Sequence, residues 1–202
     1  MNELAGIAAL GAFHGLNPAM GWLFAVGLGL QEDSRRALVR ALGPIAAGHA
    51  AAVLVTVAAV EELSAVLTPE TLRLVAGATL AAVAIRKLIR ARHPRWVGFR
   101  IGSLELAGWS FLMSSAHGAG LMLLPFLLGG GLATSGDWFP TGGGAAATAI
   151  LVHTTAMILV AGCVALAVFD LLGVGVLRRA WINVDRLWAM ALLVAAGATL
   201  LG

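Results

Sequence analysis

Six apolar runs separated by short clusters of charge constrain this chain more than any other feature. They are Leu4–Gln31, Ala41–Val60, Thr71–Ile85, Leu106–Gly136, Gly144–Phe169 and Leu187–Gly202. A helix needs about 20 apolar residues to cross the hydrocarbon core of a bilayer, so six transmembrane helices are the simplest reading. The third and sixth runs are short, and the third must accommodate Arg73, Arg86 and Lys87 at its ends by snorkelling. Composition points the same way. With 60% hydrophobic and 11% charged residues and a mean hydropathy of +0.94, too few polar side chains remain to cover a water-soluble globule. The predicted class is an all-α polytopic membrane protein whose first partner is the lipid bilayer.

The charges between the runs predict topology. Arg35, Arg36 and Arg40 follow the first run, Arg86 to Arg100 carries six cations, and Arg178, Arg179 and Arg186 precede the sixth run. By the positive-inside rule these three segments are cytoplasmic and both termini face outward. The alternate segments agree, because Glu61, Glu62 and Glu70 separate the second and third runs and Asp137 lies between the fourth and fifth. A net charge of +3 therefore reports loops beside an anionic leaflet, and no nucleic-acid partner is expected. Arg greatly outnumbers Lys, and Ala and Gly are abundant, a bias suggesting a GC-rich bacterial source and a multi-pass inner-membrane location. The single cysteine, Cys163, excludes an intrachain disulfide. No basic segment precedes the first run, which is expected to be a retained helix.

An internal repeat runs through the chain. Glu3-Leu4-Ala5-Gly6 recurs as Glu105-Leu106-Ala107-Gly108, and Leu74-Val75-Ala76-Gly77-Ala78-Thr79-Leu80 is matched by Leu193-Val194-Ala195-Ala196-Gly197-Ala198-Thr199-Leu200. The expected organisation is a first three-helix unit at 1–90, a basic cytoplasmic linker at 91–102 and a second unit at 103–202. Three spans per unit give the halves opposite orientation, a 3+3 inverted repeat.

The same repeat carries four histidines. His14 and His117 each precede glycine, 103 residues apart, and His49 and His153 follow 104 apart. Ionisable groups at bilayer depth are costly and mark functional sites by default. One imidazole could simply fix helix packing; four at related positions point to a shared site. Neutral imidazole suits Zn, Ni, Co and Cu, so His14, His49, His117 and His153 are candidate metal ligands. Asn17, Ser114, Ser115 and Thr154 are candidates to orient the rings or to meet the substrate. Met20, Met122 and Met157 offer soft thioethers, although methionine also serves as core filler. Pro18 in the first unit, and Gly118, Gly120 and Pro125 in the second, predict broken or kinked helices beside His14 and His117. Gly15 and Gly118 would serve equally to let neighbouring helices approach. The tryptophans, Trp22 and Trp188 among them, mostly lie near predicted span ends and read as interfacial anchors. His93, in Arg92-His93-Pro94-Arg95, reads as solvated, and Asp137-Trp138-Phe139-Pro140-Thr141 as an outer loop able to act as a gate.

This three-plus-three layout, with a polar, proline-containing break around His14–Pro18 and His117–Pro125, resembles the lysine-exporter superfamily, which includes nickel/cobalt exporters and membrane thiol-disulfide reductases. The resemblance implies a six-helix transporter. The reductases of that group place cysteine in the first helix of each unit, and this chain has none there, which excludes dithiol exchange. The nickel/cobalt permeases pair histidine with Asp, and no acidic residue lies near His14.

The expected function is that of an inner-membrane secondary transporter moving a transition-metal cation through four histidines, coupled to proton exchange by the imidazoles, with no resident cofactor and no enzymatic activity. Two alternatives compete: an exporter of a small organic solute with histidines as hydrogen-bonding groups, and a bis-histidine haem protein. The lack of acidic partners argues against a hydrolase. Small residues on the helix surfaces would permit a homo-oligomer.

Overall fold

A computed structural model describes residues 3–89, 102–128, 143–172 and 177–201. The described residues are mostly helical, with no strand among them: α1 Glu3–Leu16, α2 Trp22–Gln31, α3 Arg35–Ser64, α4 Pro69–Ile89, α5 Ser103–Ala116, α6 Leu124–Leu128, α7 Gly143–Ala167 and α8 Leu177–Leu201. Most of the basic linker, including His93, and the Asp137–Thr141 segment lie outside the described residues. Two helices, Arg35–Ser64 and Ala146–Leu171, are long and apolar enough to cross a membrane; 4–16, 22–31 and 188–201 form shorter apolar helices.

The first and fourth apolar runs are broken where the sequence places its prolines and glycines. Pro18 has no amide hydrogen for the His14 carbonyl and disfavours helical backbone at Asn17. Asn17 accordingly sits at φ −74°, ψ 119°, and its own amide donates to the His14 carbonyl at 3.1 Å. A short 3-10 turn, Pro18–Met20, follows, with Asn17 Oδ1 accepting from the Ala19 amide at 3.0 Å. Gly21 then turns the chain into α2 at φ 112°, a conformation that glycine adopts without steric cost. In the second unit α5 ends at Ala116, Gly118 takes φ 70°, and a 3-10 turn at Leu121–Leu123 leads into α6.

Packing pairs α1 with α7, α3 with α5 and α4 with α8. Glycines set the first two pairings by bringing backbones together. A Cβ on Gly11 would overlap the His153 carbonyl, one on Gly15 the Met157 carbonyl, and one on Gly48 the Ala107 carbonyl. Contacts advance in the same direction along both helices from Gly11 and His153 to Gly15 and Met157, and from Ile45 and Ser110 to His49 and Ser114, so α1 runs parallel to α7 and α3 parallel to α5. In the third pair Gly77 meets Leu200, while Leu80 and Ala84 share a cluster with Trp188 and Leu192, so α4 and α8 are antiparallel. Exchanging the two sequence units converts the α1·α7 pairing into α5·α3 and leaves α4·α8 in place.

Large apolar side chains face outward, and a small set of polar ones is buried within an otherwise apolar core. Leu54, Val55, Leu74, Leu112, Leu151, Leu159 and Val194 are exposed, whereas His14, His49, His117, His153, Asn17, Ser110 and Ser114 are buried.

Candidate functional site

His14 stands in the last turn of α1, His49 lies midway along α3, His153 is on α7, and His117 follows directly on the end of α5. Three of the rings converge. Their centroids are 4.8 Å apart for His14 and His153, 5.7 Å for His14 and His49, and 5.3 Å for His49 and His153. The close approach of α1 to α7 at Gly11 and Gly15 brings His14 to His153.

Hydrogen bonds to Nδ1 orient the rings. In both units the histidine at the break donates Nδ1–H to the carbonyl four residues earlier, His14 to Leu10 at 3.1 Å and His117 to Met113 at 2.7 Å. This tautomer gives each ring an Nε2 lone pair. Ser114 Oγ and His49 Nδ1 share a hydrogen bond of 2.9 Å, and the same hydroxyl lies 3.9 Å from Met20 Sδ. Nε2 of His14 and Nε2 of His49 are buried without a hydrogen-bond partner, and the buried His153 ring, whose hydrogen-bonding contact is the Ile7 backbone, keeps a ring nitrogen unpartnered. Nδ2 of Asn17 and Oγ1 of Thr154 share that condition. Each such group costs about 1–3 kcal/mol when left unsatisfied.

The remaining candidates divide. Met20 and Ser114 join the cluster through His49. Pro18 and Asn17 shape the break beneath His14. Met122 is buried with Leu80, Ala84 and Trp188, and Met157 packs among Trp22, Ala25 and Ala161. Ser115 faces outward and donates to the Phe111 carbonyl at 2.8 Å, away from the rings.

Sequence reasoning missed Trp188. It reads as an anchor at the start of the last apolar run, but α8 begins at Leu177, so Trp188 falls near the middle of a 25-residue helix and is 1% exposed. Its indole stands edge-on to His14 at 4.3 Å, stacks on Phe13 at 5.1 Å and lies 5.9 Å from the His117 ring. Its Nε1–H donates to the His117 carbonyl at 3.0 Å. Trp22, also read as an anchor, is buried and donates to the Leu16 carbonyl at 3.3 Å. An indole N–H thus meets a carbonyl at the break in each unit.

Family models, curated proteins and solved structures offer no match to this chain.

Chemically, the cluster presents lone pairs. Fixing Nδ1 as the donor makes Nε2 a base, the arrangement in which imidazole takes a metal ion or accepts a hydrogen bond. Among the described residues no three His, Cys, Asp or Glu are arranged to hold a metal ion. The planes of His49 and His153 are only 16° apart, so their in-plane lone pairs run along separate planes rather than meeting.

Proposed function

We propose that this chain is a six-span bacterial inner-membrane transporter, built as a 3+3 inverted repeat with both termini outside, whose substrate is a transition-metal cation received by His14, His49, His117 and His153. The membrane reading is supported by the many large apolar side chains on the exterior and by the four histidines buried within the apolar core. In it α1 with α2, and α5 with α6, are two broken spans, and α3, α4, α7 and α8 are the others. Three things support the inverted repeat: the sequence duplication, the pairing that survives exchange of the units, and the two breaks at corresponding histidines.

The observation that carries the metal reading is the convergence of three imidazoles with unpartnered buried nitrogens, His14 being held in the tautomer that ligation requires. Loading requires the near-parallel His49 and His153 rings to swing toward a common point. Proton exchange by the imidazoles offsets the charge of a dication where no carboxylate is buried among the described residues.

A second reading, a small organic solute that donates N–H or O–H to the same nitrogens, is favoured by the ring orientations, which suit hydrogen bonding without rearrangement. One experiment separates the two. Purified protein and the His14→Ala and His153→Ala variants are titrated with Zn, Ni, Co and Cu salts, with elemental analysis of each. Saturable binding in wild type that either substitution abolishes supports the metal cation. Negligible binding in all three overturns it and leaves the solute reading, while a Soret band in the purified protein would reassign the rings to haem.

A further inference from the structure

We infer that Trp188 is the positioning residue that couples occupancy of the ring cluster to the helix break of the second unit; this rests on the transport reading above. Four observations converge on the indole. It is buried, its plane is nearly perpendicular to the His14 ring, it stacks on Phe13, and its N–H is committed to the His117 carbonyl. Phe13 and His14 belong to the first unit and His117 to the second, so one rigid side chain on α8 touches both breaks.

The carbonyl is the informative partner. His117 directly precedes Gly118, whose left-handed backbone ends α5, and its carbonyl accepts the Trp188 N–H at that break. A ligand taken up at His14 Nε2 pulls on a ring whose centroid is 4.3 Å from the indole, and the interior around Trp188 is closely packed, with Leu192, Met122 and Leu80 in the same cluster. The indole therefore shifts with His14, and its hydrogen bond to His117 lengthens or breaks. Loading on α1 is thereby felt at α5, where the second break must adjust if the path is to open on the other side.

The direct test compares wild type with Trp188→Phe and Phe13→Leu in proteoliposomes and in detergent, using Ni and Cu ions as probes. Trp188→Phe keeps the stack on Phe13 and removes the donor. Loss of one buried hydrogen bond is expected to slow transport by about tenfold while leaving equilibrium metal binding within about threefold of wild type. Phe13→Leu keeps the hydrogen bond and is expected to give a smaller loss of rate with the same sparing of binding. Wild-type tryptophan emission should be quenched on Cu addition, with most of the quenching absent from Trp188→Phe. If wild type binds but Trp188→Phe matches it in rate and quenching, or loses binding and rate together, the coupling role is overturned and the metal site stands. If wild type binds none of these ions, the transport reading fails and the role of Trp188 falls with it.

Discussion

Ser114 Oγ and His49 Nδ1, 65 positions apart in sequence, lie 2.9 Å apart and tie α5 of the second unit to α3 of the first. Both groups are buried, and the serine also reaches Met20 Sδ at 3.9 Å. Ser114→Ala leaves His49 Nδ1 without its hydrogen-bond partner and frees the ring to rotate. The expected loss is about 1–3 kcal/mol of stability, read by thermal unfolding in detergent. Metal affinity is expected to fall about tenfold or more, as for loss of a group that orients a ligand. A variant with wild-type affinity would remove His49 from the site.

The contact of α1 with α7 depends on Gly15, where a Cβ would meet the Met157 carbonyl and the Val160 side chain. Gly15→Val is expected to cost about 1–3 kcal/mol through overpacking and to separate His14 from His153, with loss of binding. Gly27, on α2, has nothing within 4 Å of a Cβ. Gly27→Ala is expected to be neutral or to stabilise by up to about 1 kcal/mol. Equal melting temperatures for the two variants would contradict this account of the α1·α7 seam.

Gly118 terminates α5 at φ 70°, a left-handed conformation costing an L-residue roughly 1–2 kcal/mol, with Asn tolerated better. A Cβ there would also approach Leu192 Cδ2 at 3.2 Å. Gly118→Ala should therefore lower the melting temperature and transport, and Gly118→Asn should do so less. The reverse order would show that contact with Leu192, rather than backbone conformation, decides the position.

Asn17 caps the 3-10 turn of the first break through its Oδ1. Asn17→Ala is expected to cost about 1 kcal/mol, whereas Asn17→Ser keeps an acceptor for the amide and restores most of it. Proteolysis or hydrogen exchange around residues 14–21 would register the loosened break. Unchanged protection in Asn17→Ala would leave Pro18 alone responsible for it.

The breaks were legible because their causes are local. Proline lacks a donor and glycine tolerates left-handed backbone wherever they occur, so Pro18 and Gly118 announced the ends of α1 and α5 from sequence. The histidine spacing, with offsets of 103 and 104 residues, is likewise a property of the sequence. Trp188 was not legible. Arg178, Arg179, Asp185 and Arg186 shorten the last apolar run and make residue 188 look terminal, but helix α8 continues through all four. Ser115 was misjudged for a related reason: it neighbours Ser114 in sequence, but a helix turns adjacent residues about 100° apart, and only Ser114 faces α3.

Apolar content, loop charge, helix-breaking residues and the repeated histidines are properties of short stretches of chain, and the sequence alone determined them. That the rings of His14, His49 and His153 lie stacked or edge-on within 6 Å of one another was decided only by tertiary packing. Rotation of each helix about its axis is set by the glycines that let α1 approach α7 and α3 approach α5, and those contacts join residues more than 50 positions apart. Spacing along one helix carries no information about the face its neighbour will cover.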